Sequence, residues 1–368
     1  MSRRQAAWQC AILLTAMVFN MYSIRRPIAA GMTTIDANKP LRTVIGAVVL
    51  LCAMVLGACA EDADNGAGAV SAQGPYRVVT TVGMVGDIAK QVAGDRAAVS
   101  VIIGPGVDPH LYTSTRDDVV QLRDADIIFY TGLLLEGRMI DTLTAVGRTK
   151  PVYTVTDLID KNYLIEAHGQ FDPHVWMDVS AWSQAVEVVA RSLAEFDPDS
   201  ADYYQRNAAR YRRQLAELHE YGLQRTATIP STRRHDKPLM VTSHDAFNYF
   251  GKAYGLDVRG VQGLSTESEA GLRRVNDLID LIVRTKTAAV FVETTVSRQN
   301  IQALIEGAHA RGHEVEVGGE LFSDAMGSDG TYEGTYIGML DHNLTTATRA
   351  LGGQAPARGM QGKLVHHE

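Results

Sequence analysis

Short β-branched runs alternate along this chain with stretches whose apolar residues recur at three and four residue spacing, and the whole succession occurs twice. In the first half, strands are expected at Arg77 to Val82, Val99 to Ile103, Asp126 to Tyr130 and Val152 to Val155. Helices are expected between them at Val85 to Ala93, Arg116 to Arg123 and Glu136 to Val146. In the second half the strands fall at Leu239 to Thr242, Leu256 to Val261, Ala288 to Val292 and Glu314 to Val317. Their helices are Asp245 to Tyr254, Leu272 to Arg284 and Arg298 to Arg311. Strands alternating with helices predict α/β architecture, here two lobes that each carry a four-stranded parallel sheet flanked by helices.

Between the halves, Asp197-Pro198-Asp199-Ser200 reads as a stop and restart signal. From Ala201 to Arg225 there is no proline, and Tyr204, Ala208, Tyr211, Leu215 and Leu218 mark one apolar stripe. One long helix is expected to join the lobes and to restrict hinge motion between them. The domain boundaries that follow are a first lobe at 76–197, a linking helix at 198–229, a second lobe at 230–352 and a disordered tail at 353–368.

The amino-terminal region carries export signals. Val44 to Val55 is almost wholly apolar, follows Lys39 and Arg42, and ends in Leu56-Gly57-Ala58-Cys59. It is too short for a convincing membrane span and reads as a secretory signal over 1–59. Leu-Gly-Ala-Cys resembles the bacterial lipobox, which implies cleavage before Cys59 and lipid attached to its sulfur. An earlier apolar stretch, Ala6 to Met21, makes one export segment surplus, so translation is expected to start at Met32. Small, polar and acidic residues over 60–75 form a flexible tether, with a reach on the order of 20 Å.

The three cysteines, Cys10, Cys52 and Cys59, all lie in that leader. Any metal in the mature body must therefore be held by nitrogen and oxygen. A formal net charge of −7 offers no basic footprint and argues against nucleic acid as a partner.

Asp-Pro-His occurs twice, at 108–110 and 172–174, each time just past a strand. Proline biases the residue before it towards extended backbone, so each histidine is presented on a stiff, non-helical stalk. His110 follows strand two of the first lobe and His174 strand four; His244 follows strand one of the second lobe and Asp324 strand four. All four lie beyond carboxyl ends of strands, where open parallel sheets bind ligands, which aims them into one interlobe cleft. Trp176 and Tyr112 are expected to pack the cleft wall. Glu293 is expected to be a structural acceptor, and His235, His309, His313 and His342 solvated surface.

The segments at 106–112, 172–178, 242–250 and 321–324 together resemble the cluster A-I solute-binding lipoproteins of zinc and manganese ABC transporters. Residues 262–267 resemble the treponemal branch of that family. The resemblance implies that His110, His174, His244 and Asp324 are the metal ligands and that an ABC permease in the membrane is the partner. It also implies a lipid-anchored, extracytoplasmic location; a monomer is expected. Relatives selective for manganese often carry Glu at the place of His244, while many zinc binders carry a His-rich loop where this chain has only His168. Three imidazoles and a carboxylate suit zinc, and a bidentate Asp324 would suit manganese, so both remain as cargo. The rival class is a secreted zinc hydrolase with Glu267, Glu269 or Glu293 as general base. A catalytic zinc keeps an open position whereas a carrier encloses its ion, and neither a His-Glu-x-x-His nor a Gly-x-Ser-x-Gly pattern occurs. No enzymatic activity is expected.

Overall fold

The computed structural model describes residues 75–365 apart from His168 and residues 231–236. The lipobox Cys59, the Met32 start, most of the tether, His235, and His366 and His367 lie outside the described residues.

The first lobe opens with β1 (Tyr76–Val82), whose residues are buried except Arg77, as expected of a strand covered on both faces. Helix α1 (Gly83–Ala93) follows without a loop and packs so closely on β2 (Ala97–Ile103) that a Cβ on Gly86 would meet Val101 at 2.6 Å. Next come α2 (Arg116–Asp124), opened by a Thr115–Asp118 capping box, β3 (Ile127–Tyr130), α3 (Ile140–Val146) and β4 (Val152–Thr154). The strands form one parallel sheet in the order β2-β1-β3-β4. A small antiparallel pair, β5 (Glu166–Ala167) with β6 (Gln170–Phe171), precedes His174 and was not visible in the hydrophobic pattern.

Helix α4 (Val179–Phe196) begins at Asp178, which accepts from the Ser180 and Ala181 N–H groups, and stops before Pro198. Helix α5 (Ala201–Thr226) then runs for 26 residues, about 39 Å, and buries the expected stripe of Tyr204, Ala208, Tyr211, Leu215 and Leu218.

The second lobe holds β7 (Leu239–His244), α6 (Asn248–Tyr254), β8 (Asp257–Gln262), α7 (Leu272–Thr285), β9 (Ala289–Glu293), α8 (Gln299–His309), β10 (Glu316–Leu321) and α9 (Tyr336–Ala350). Its four expected strands are present, yet they are hydrogen-bonded as two parallel pairs, β7 with β8 and β9 with β10, with β7 alongside β9. Where those two strands meet the cleft, the Glu293 carboxylate instead of a backbone carbonyl accepts from the His244 N–H. The last strand extends four residues beyond the expected Val317 because Gly318 and Gly319 lie inside it. A Cβ on Gly318 would meet Ala350 at 2.7 Å and Ala289 at 2.8 Å, so glycine here permits close packing instead of ending the strand.

One continuous core joins residues of the first sheet, such as Val79 and Phe129, to Tyr211 and Leu218 of α5 and to Phe250, Leu340 and Leu344 of the second lobe. A smaller core, including Val241, Ile282, Val290 and Leu304, fills the far side of the second lobe. The tail, expected to be disordered from residue 353, is packed as far as it is described. Gln354 N–H donates to the Thr228 hydroxyl at 2.7 Å, Met360 N–H to the Asp341 carboxylate at 2.8 Å, and Leu364 is buried. Gly- and Pro-rich composition concealed these anchors, which depend on partners far away in sequence.

At Gly222, α5 passes close to the second lobe: a Cβ there would lie 2.6 Å from the Tyr254 ring and 3.0 Å from Leu344. Gly222→Val is therefore expected to destabilise the fold by about 2 kcal/mol through overpacking, read as a lowered urea midpoint with unchanged slope.

Candidate metal centre

Each candidate side chain is delivered by the end of a strand or by the loop after it. His110 lies in the loop after β2, His174 just after β6, His244 is the last residue of β7, and Asp324 follows β10. The strand β7 thus runs two residues further than expected, and Asp245 begins a 3₁₀ turn before α6. Gly260 on β8 makes room for this strand end, since a Cβ there would fall 2.2 Å from the His244 carbonyl carbon.

All four side chains are buried, and one potential donor atom from each lies within 4.8 Å of the others. His110 Nε2 is 3.2 Å from His174 Nε2, His174 Nε2 is 3.4 Å from Asp324 Oδ1, and His244 Nε2 is 3.2 Å from Asp324 Oδ2. Four donors set tetrahedrally at zinc-ligand distances stand about 3.3 Å apart, so these separations match a shared centre. His110 Nε2 to Asp324 Oδ2 is longer, at 4.0 Å. Among the described residues this is the one such group of His, Cys, Asp or Glu.

His174 Nδ1 meets Asp172 Oδ1 at 2.7 Å, and His244 Nδ1 meets Glu293 Oε2 at 2.6 Å. These carboxylates fix the tautomer in which Nδ1 carries hydrogen and the Nε2 lone pair faces the centre. The same acids also accept from the His174 and His244 backbone N–H groups, at 2.9 Å each. His244 Nε2 and both Asp324 oxygens are buried without a hydrogen-bond partner, although His244 and Asp324 approach to 3.2 Å. Their geometry directs them to a common point and not to one another, which suits a cation.

Burial lowers the His110 imidazole to about 3, against the partial opposition of Asp324. Burial also disfavours charge on His174, but Asp172 and Asp324 outweigh it and leave this imidazole raised to about 9. At His244 the same contest, with Glu293 and Asp324, ends well above the usual histidine range. Asp324 is correspondingly held well below the usual carboxylate range: burial opposes its charge, and His244 and His174 overcome it.

Glu293 is the structural acceptor expected, with both oxygens occupied by His244. Glu267 pairs with Arg138 at 2.9 Å, and Glu269 is exposed, so none of the three acids proposed as a hydrolase base addresses the centre as a free carboxylate. Trp176 walls the cleft as expected: its ring lies 5.2 Å from His174, and Nε1–H donates to the Ser323 carbonyl at 2.9 Å. Tyr112 is partly buried, with its ring packed against the main core. Its hydroxyl donates to Asp118 Oδ2 at 2.6 Å and supports the start of α2. His309 is exposed, but His313 and His342 are half-buried and bond the carbonyls of Thr287 and Glu320 at 2.7 and 2.9 Å. Asp108 and Asp172 are orienting acids not anticipated from the sequence, although both stand two residues before a candidate histidine in the repeated tripeptide.

Comparison with known proteins gives the same picture. The family model described as "Zinc-uptake complex component A periplasmic" matches residues 78–350. The manganese-binding lipoprotein MntA of Bacillus subtilis is 42% identical over 313 residues, covering 84% of this chain and 100% of MntA. The zinc-binding protein TroA of Treponema pallidum is 42% identical over 282 residues, covering 76% of this chain and 90% of TroA. The solved structure of the treponemal periplasmic zinc-binding TroA superposes with a TM-score of 0.73 at 41% identity, over 76% of this chain and 99% of that one.

Because Asp172 is the largest influence raising His174, Asp172→Asn is expected to bring that imidazole down from about 9. A histidine NMR titration of the metal-free protein reads the change.

Proposed function

The chain belongs to the zinc-uptake component A family, and from that premise we propose that it is an extracytoplasmic solute-binding lipoprotein that captures zinc or manganese and hands it to an ABC permease. The observation that carries this is the buried convergence of His110, His174, His244 and Asp324 with unpartnered donor atoms. In the proposed site these four are the ligands, Asp172 and Glu293 orient two of them, and the ion exchanges its water shell for protein from both lobes. The names of the two relatives at equal identity, one zinc-binding and one manganese-binding, support keeping both metals as cargo. Asp324 contributes to that breadth, since Oδ1 faces His174 and Oδ2 faces His244, an attitude open to one or two bonds.

Cys59 is the proposed point of lipid attachment, and the chain acts as a monomer outside the cytoplasm. No helix among the described residues is long and apolar enough to cross a membrane. An enzymatic role finds no support: four protein donors surround the centre, and Glu293 is committed to His244.

Three outcomes are expected. Calorimetry with zinc and with manganese should show binding weakened by at least about 100-fold in His110→Ala and in Asp324→Ala; unchanged affinity in both would remove them from the site. Protons on His174 and His244 compete with the ion for the same nitrogens, and both groups titrate above the ordinary histidine range. Affinity should therefore rise between pH 6 and 8, by about one to two decades per pH unit, with proton release visible as a buffer-dependent enthalpy.

A further inference from the structure

The loop that carries His110 is tied across the cleft on both of its flanks, directly on one and through Arg138 of its own lobe on the other. On one side, Asp108 Oδ1 accepts from the His110 N–H at 2.8 Å, while its Oδ2 accepts from the Thr266 hydroxyl at 2.5 Å. On the other, Arg138 Nη1 donates to the Leu111 carbonyl at 3.2 Å, and its Nε donates to Glu267 at 2.9 Å. Thr266 and Glu267 are consecutive residues in the loop after β8, on the second lobe.

His110 differs from the other two histidines in how it is held. His174 and His244 each give Nδ1 to a buried carboxylate of their own lobe, whereas no described residue accepts from His110 Nδ1. Its place therefore depends on a loop, and that loop depends on the opposite lobe. The two sides of the cleft differ in the same sense. Deep in it, Trp176 is tied to Ser323 and Tyr336 to the Trp176 carbonyl by fully buried bonds of 2.9 and 2.7 Å. At its mouth the side chains of Arg138 and Glu267 are 45% and 49% exposed.

We propose that Thr266 and Glu267 are positioning residues that clamp the His110 loop over the bound cation, and that release begins when this clamp opens while the buried side of the cleft stays closed. The inference rests on the metal-carrier function proposed above. Thr266 is the stronger half, because its bond is to a half-buried carboxylate, while the Arg138–Glu267 pair is screened by solvent. A clamp present only in the closed state acts mainly on the rate of loss, since an incoming ion meets the loop before it is fastened.

The test is stopped-flow release of zinc from the purified full chain into excess EDTA, with association measured separately. Thr266→Val should release zinc about tenfold faster with little change in association, Glu267→Gln about twofold faster, and Thr266→Ser, which restores the hydroxyl, at the parental rate. Asp108→Ala supplies the same test from the other side should the valine variant fail to fold, since no acceptor for the Thr266 hydroxyl then remains. An unchanged release rate in Thr266→Val or in Asp108→Ala, with the parent holding zinc normally, would overturn the clamp and leave the carrier function standing. So would faster release in Thr266→Val that Thr266→Ser fails to reverse. A parent chain that retains neither zinc nor manganese would instead overturn the carrier function itself.

Discussion

The arrangement depends on one carboxylate. Asp324 is buried, receives no hydrogen bond, and is surrounded by three imidazoles. An ionised carboxylate in that position is costly unless a positive charge stands beside it. In the metal-free protein the charge comes from protons on His174 and His244, whose acidities are shifted to hold them. A divalent ion at the same point replaces those protons without altering the electrostatic logic, so the site is built to hold positive charge whichever species provides it.

The surrounding fold serves to keep that point fixed. Parallel strands, or the loops that follow them, deliver His110, His244 and Asp324 from their carboxyl ends, the antiparallel β5–β6 pair delivers His174, and α1 begins directly at the end of β1. Two of the histidines have a second fixation, a carboxylate that accepts from ring and backbone of the same residue, so that both tautomer and stalk are set together. Asp172 is in turn held by Asn248, and its carbonyl by Tyr249, from the second lobe. The orienting shell therefore crosses the cleft as the ligand set does.

Much of this was legible in the sequence, and the reasons are local. The alternation of β-branched runs with helical spacing exposed the eight main strands, the helices between them and α5, though not β5, β6, α4 or α9; Pro198 marked the break before α5, and the repeated Asp-Pro-His marked two of the four donors. What stayed hidden depended on contacts distant along the chain. The splitting of the second lobe into two strand pairs, the packing of residues 353–365, and the carbonyl bonds of His313 and His342 have no signature in their own neighbourhood. Gly318 and Gly319 misled for a related reason: a glycine that permits close approach is indistinguishable, along one strand, from a glycine that ends it. Asp108 and Asp172 could have been found, since an acid two residues before a histidine can reach that residue's backbone N–H.

The shared core constrains how such a cleft can open. Residues of the first sheet, of α5 and of α6 and α9 belong to one continuous apolar cluster, and α5 passes Tyr254 and Leu344 too closely to admit even a Cβ at Gly222. Rotating one lobe against the other would shear that cluster and expose apolar surface at about 25 cal/mol per Å². Moving the loop that carries His110 breaks a few polar contacts that water can replace. The mobile element is then the one whose bonds are most exposed, and the cost of release falls on the His110 flanks instead of on the core.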